Sequence, residues 1–206
     1  MRHLFLDLED TVITPVLDGW FNTHMINVAK IRKYIADFKP DSVHLFSFAI
    51  WNQEELKRFN LGTRPMLEHS LGIKLAGTPT VDEQILPACC AVMGMSHHAV
   101  DFQEMSNFWS KHEAFRLYMR HLYKNTHTHN VDTVVALLDD AVINEKFEWP
   151  GLRLKGELVN IDELPEAQDL DALLRSSLGN QHYIGHRPEL WEEQTKVVIQ
   201  VPGSSS

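Results

Sequence analysis

Three short apolar runs in this chain each stop on a polar side chain able to do chemistry. Leu4-Phe5-Leu6 stops at Asp7, Val43-His44-Leu45-Phe46 stops at Ser47, and Thr133-Val134-Val135-Ala136-Leu137-Leu138 stops at Asp139-Asp140. Carboxylates gathered at one point are hard oxygen ligands, the kind Mg²⁺ takes in ones and twos beside water and substrate phosphate. A phosphate ester repels an attacking anion, and a hard cation relieves that repulsion. A serine hydroxyl can donate to a phosphoryl oxygen. Lys111 adds positive charge within Ser110-Lys111-His112-Glu113, a capping box ahead of Phe115, Tyr118, Met119 and Leu122. A helix should start there, and its free N–H groups favour an anion. Each feature has a plainer reading: acids that cap loops, a polar strand end, a lysine on a helix surface. Three acids and a lysine in this arrangement argue for chemistry over structure alone.

The elements that must position these groups follow from the hydrophobic pattern. Apolar runs bounded by polar residues suit buried strands. Ile31, Tyr34, Ile35 and Phe38 recur at helical spacing within residues 24–38, ended by Lys39-Pro40. Asn52 can cap a helix with Glu54, Glu55, Leu56 and Phe59, and Thr80 another running through Ile85 and Val92. Residues 52–95 therefore read as mostly helical, residues 125–130 as a polar loop, 152–161 as a further strand and 169–178 as a short helix. Strands alternating with helices predict an α/β fold, a mostly parallel sheet with helices on both faces. Ligands in such sheets bind at the carboxyl ends of the strands, where strand order reverses. Asp7, Ser47 and Asp139 should then share one edge of one sheet.

The stretch His3-Leu4-Phe5-Leu6-Asp7-Leu8-Glu9-Asp10-Thr11-Val12-Ile13 resembles the first motif of the haloacid dehalogenase (HAD) superfamily, an apolar strand followed by Asp-x-Asp-x-Thr. Ser47 resembles the second motif, Lys111 the third, and Leu137-Leu138-Asp139-Asp140 the fourth; in the family's order they span residues 3 to 145, about two-thirds of the chain. The resemblance implies a Rossmann-like domain over residues 1–165, with a small helical insertion near 52–105 between the second and third motifs, and a C-terminal helix and tail over 166–206. It implies a Mg²⁺-dependent phosphomonoester hydrolase acting through an aspartyl-phosphate. Asp7 and Glu9 would be catalytic, and Thr11, Ser47 and Lys111 phosphate-binding. Asp7, the Glu9 backbone carbonyl, Asp139 and Asp140 would hold the metal, and Asn144 could support the acidic pair. Glu9 stands where the family's phosphatases place Asp as general acid and base. Its extra methylene displaces the carboxyl by a distance that matters to catalysis, and Asp10 is a candidate substitute. The same residue favours the alternative, a HAD-like binding or regulatory protein with little turnover.

Composition narrows the classes further. The 206 residues carry a formal charge of -9 and 44% apolar residues, a globular and acidic chain. Stable nucleic-acid binding is not expected, since it draws on clustered Lys and Arg. The expected substrate is a small phosphorylated metabolite or nucleotide, with a phosphorylated nucleic-acid end as the other option. Cys89 and Cys90 are adjacent, offer no disulfide framework, and should pack in a helix. With no signal-peptide run and no membrane-length apolar segment, a cytoplasmic setting is expected. His97-His98 and His127-Thr128-His129 lack zinc-ligand spacing. Trp20, Trp51 and Trp109 are expected to pack, although the last two lie close in sequence to Ser47 and Lys111.

Overall fold

The computed structural model describes residues 1–125 and 131–167. Six strands form one sheet: β1 (Arg2–Leu6), β2 (Ser42–Leu45), β3 (Leu75–Gly77), β4 (Thr133–Asp139), β5 (Glu145–Trp149) and β6 (Leu154–Asn160). Their spatial order is β3-β2-β1-β4-β6-β5. All neighbours are parallel except β5, which runs antiparallel to β6 at the edge. The chain steps from β1 to β2 on one side and later returns to β4 on the other. Strand order therefore reverses between β1 and β4, where a ligand crevice opens in sheets of this kind.

The sheet's alternation splits the core in two. Leu4, Leu6, Ala136 and Leu138 point to one face, and Phe5, Val135 and Leu137 to the other. Helices α1 (Val28–Phe38), α2 (Gln53–Leu61) and α3 (Thr63–Leu71) cover the first face through Ile31, Phe59, Met66 and Leu67. Helices α4 (Leu86–Met93), α5 (Phe102–Phe108) and α6 (Lys111–Asn125) cover the second, where Cys89, Cys90, Phe115 and Met119 are buried. Trp20 and Trp109 are buried as well, whereas Trp51 is 43% exposed.

Local signals explain several boundaries. The Asn52 side chain accepts from the Glu55 N–H at 2.9 Å to start α2, and the Thr80 hydroxyl accepts from the Glu83 N–H at 3.3 Å. A π-helical turn, Val81–Ile85, precedes α4. At α6 the Ser110 hydroxyl meets the Glu113 carboxylate at 3.3 Å, and the Ser110 carbonyl accepts from the Ala114 N–H.

Two strands escape the pattern. The expected helical stretch of 52–95 and insertion of 52–105 contain β3, a strand of the main sheet, so α2 and α3 belong to the sheet's covering layer. Three residues ending in glycine carry no readable period. Strand β5 is masked by its charges (Glu145, Lys146, Glu148), as befits an edge. Its Phe147 ring lies over Gly156, where an added Cβ would sit 2.0 Å from the ring. The predicted strand over 152–161 is β6, Leu154–Asn160. The expected helix over 169–178 and the tail lie outside the described residues.

Candidate active site

The residue after β1 continues its pairing: the Asp7 N–H donates to the Leu138 carbonyl at 3.0 Å. That bond sets Asp7 beside Asp139 at the carboxyl end of β4. Ser47 follows β2, whose last pairing is the Phe46 N–H donating to the Leu6 carbonyl at 2.9 Å. The three residues thus meet at one edge, all at most 3% exposed. Oxygens of Asp7, Asp139 and Asp140 lie within 4.8 Å of one another.

Lys111, the first residue of α6, reaches into this group from the opposite layer. Its ammonium is 2.5 Å from Asp7 Oδ1 and 3.0 Å from Asp139 Oδ2. Those two oxygens face the ammonium, yet neither receives an aligned hydrogen bond from any described donor. Burial pushes the Asp7 carboxyl up to about 6; Lys111 opposes that rise and Asp139 adds to it. Burial pulls the Lys111 ammonium down, but the two carboxylates together hold it above the ordinary lysine range. One ammonium is set against two buried carboxylates and a third beside them. Such a cluster has more negative than positive charge, and its gathered carboxylate oxygens are of the kind that can hold a small divalent cation.

The segment after β1 folds tightly back. The Val12 and Ile13 N–H groups both donate to the Leu8 carbonyl, at 2.8 and 2.9 Å. Asp10 takes the left-handed conformation, φ 57°, which Asp tolerates better than most residues. This turn brings Asp10 to the cavity mouth beside Glu9. Glu9 Oε1 accepts from the Val16 N–H at 2.7 Å, so the carboxylate is tethered at the rim. Thr11 is fully buried; its hydroxyl accepts from the Asp140 N–H at 3.0 Å and lies 3.2 Å from Asp140 Oδ1 and 3.5 Å from Asp7 Oδ2. Here Thr11 braces the acids from below, a different task from the expected phosphate contact, because its one proton is directed at carboxylates. Asn27, at the start of α1, anchors this turn by donating to the Thr11 carbonyl at 3.0 Å.

Ser47 accepts from the Ala49 N–H at 3.3 Å, which leaves its own proton to donate. Asn144 does not touch the acidic pair. Its Oδ1 accepts from the Asn160 N–H at 2.6 Å, and it is Asn160 that holds the Asp140 and Val142 carbonyls, each at 2.9 Å. The carboxylates form the floor of a cavity of about 540 Å³, within the usual range for small-molecule sites. Its walls include Phe48, Glu55 and Phe102, which sequence reasoning missed: they come from three separate segments whose spacing carries no common signal. His97 and His98 lie in a short helical turn away from this group, and His127 and His129 lie outside the described residues. No helix among the described residues is long and apolar enough to cross a membrane. No protein-family model, curated protein or solved structure matches the chain.

Proposed function

We propose that this protein is a Mg²⁺-dependent phosphomonoester hydrolase of the HAD type, acting through an aspartyl-phosphate on Asp7. The observation that carries the reading is the gathering of Asp7, Asp139 and Asp140 at the point of strand reversal, with Lys111 paired to the first two. Asp7, Asp139, Asp140 and the Glu9 carbonyl would hold Mg²⁺. The cation would supply positive charge to the phosphoryl oxygens and favour the ionised form of Asp7.

The chain's own groups then divide the work. An Asp7 oxygen attacks phosphorus in line with the ester oxygen, forming one P–O bond as the other breaks. Lys111 and the Ser47 hydroxyl hold the equatorial oxygens as charge develops on them. Glu9 gives a proton to the departing alkoxide, then takes one from the water that attacks the aspartyl-phosphate. That second step releases phosphate and restores the Asp7 carboxylate. Thr11 keeps Asp140 and Asp7 in register throughout.

A second reading draws on the Glu9 tether. A carboxylate held by the Val16 N–H is less free to shuttle protons, which favours a binding protein with slow turnover. Steady-state assays with Mg²⁺ across nucleotides, sugar phosphates and phosphorylated oligonucleotides separate the two. The hydrolase reading expects robust turnover of at least one class. Asp7→Asn should abolish it, by 10⁴-fold or more on the order seen for lost nucleophiles, and Glu9→Gln should lower it about 10²–10⁴-fold. Negligible hydrolysis of every class, with ligand binding intact, would establish the second reading instead.

A further inference from the structure

One wall of the cavity is aromatic and is built as a continuous shelf leading away from the acidic floor. The Phe48 ring lies 5.7 Å from the Lys111 ammonium. Phe102 meets Phe48 edge to face at 5.9 Å, and Trp51 stacks on Phe102 at 5.9 Å with an interplanar angle of 22°. Trp51 stays 43% exposed although it lines the cavity, so a large indole surface borders the site unburied. It is not there through slack in the chain. The Ile50 and Trp51 carbonyls accept from the Val81 and Asp82 N–H groups, both at 3.1 Å, which pins this segment to the turn before α4.

The charge around the shelf is one-sided. Glu9, Asp10 and Glu55 line the cavity with the floor acids, and Lys111 is the only cation among its described lining residues. Glu55 is itself fixed, accepting from the Trp20 indole N–H at 2.6 Å through one oxygen and pairing through the other with Arg58 at 3.1 Å, a cation that does not line the cavity. Lys111 is already matched to the floor. Additional anionic groups on a ligand would meet carboxylates, with no second cation among the described lining residues to receive them.

We infer that the substrate carries a planar ring, seated against Trp51 and Phe102 a short spacer away from its phosphoryl group, and no further anionic group. A nucleoside monophosphate has this chemistry. An aryl phosphate shares the ring but lacks the spacer that the two-ring separation between Phe48 and Trp51 calls for. A polynucleotide end has the ring and spacer but adds phosphodiester charge. The inference rests on the phosphomonoesterase reading of the acidic site.

The test is kcat/KM of the full chain with Mg²⁺ for the four common nucleoside 5′-monophosphates, phenyl phosphate, ribose 5-phosphate and a 5′-phosphorylated oligonucleotide. Calorimetric binding of the nucleotides and of ribose 5-phosphate runs in parallel. Ring stacking predicts that the best nucleotide exceeds ribose 5-phosphate by about tenfold or more. Trp51→Ala should collapse that ratio toward one, and Trp51→Phe should keep most of it. Phenyl phosphate and the oligonucleotide should both trail the nucleotide. Hydrolysis without ring preference would overturn the ring subsite and leave the hydrolase reading standing. Ring-dependent binding without hydrolysis would do the reverse, and absence of both would overturn both. An oligonucleotide that outperforms every mononucleotide would overturn the charge argument.

Discussion

At the amino end of the central strands His3, Ser42 and His44 form one polar cluster; at the carboxyl end Asp7, Asp139 and Lys111 form another. In the first, the Ser42 hydroxyl lies 2.6 Å from His3 Nδ1 and 2.8 Å from His44 Nε2, so one group bridges the two rings. Burial holds both histidines below their ordinary pKa, favouring neutral rings, and His44 stacks on Phe5 at 5.0 Å. In the second cluster charge is dense, and two buried oxygens lack an aligned donor. Both clusters are built on β1 and its neighbours. One is closed on itself; the other sets three carboxylates against one ammonium at the floor of a cavity. Buried charge in excess of its partners calls for an explanation, and the proposed metal site would supply one at the carboxyl end of the sheet.

The comparison is broken most readily at Lys111. Lys111→Met leaves buried carboxylates facing one another, and should lower the unfolding free energy in metal-free buffer at pH 8 by about 3–5 kcal/mol. Mg²⁺ should restore part of the loss. Denaturant titration checks both. A cost no larger than that of a change in the histidine cluster would erase the distinction between the two ends.

The pH dependence sharpens it, because the two clusters have opposite slopes. Asp7 has its folded pKa raised to about 6 by burial. The folded state binds its proton more tightly, so its contribution to stability is fully present below the unfolded value near 4 and is lost as pH rises through about 6. The two histidines are lowered by burial. Their contribution is present above the unfolded value near 6.5 and is lost as pH falls below it. Asp7→Asn should remove the acidic-range slope, and His44→Gln should weaken the histidine one. Chemical denaturation between pH 4 and 8 reads both. The smallest effect is expected from His44→Gln itself: about 0.5–1.5 kcal/mol of stability for an altered hydrogen bond, with turnover within about twofold of the parent. A large loss of activity in that variant would mean that the amino-end cluster is not purely structural.

How much of this was legible in the sequence depends on the kind of signal. Asp7, Ser47 and Asp139 could be placed because each ends an apolar run, and a buried strand needs no partner to be recognised. Lys111 could be placed because a capping box fixes a helix start. Strand β3 was not legible: Leu75-Ala76-Gly77 is too short to show a period, and its pairing with β2 decides its conformation. Thr11 was legible as part of a motif but not as a brace, since its partner Asp140 is 129 residues away. The aromatic shelf was least legible of all. Phe48 follows Ser47 directly and Trp51 lies four residues on, but neither position signals a shelf, and Phe102 joins them only through the fold.

The central claim is that the carboxyl-end acids hold a divalent cation. Calorimetric titration of Mg²⁺ into the full chain, Asp7→Asn and Asp139→Asn tests it most directly, independently of any substrate. The account predicts one Mg²⁺ site in the parent, weakened tenfold or more in each variant, since even groups one step removed from a metal cost 10–100-fold when changed. No binding to the parent, or the same affinity in all three proteins, would contradict it.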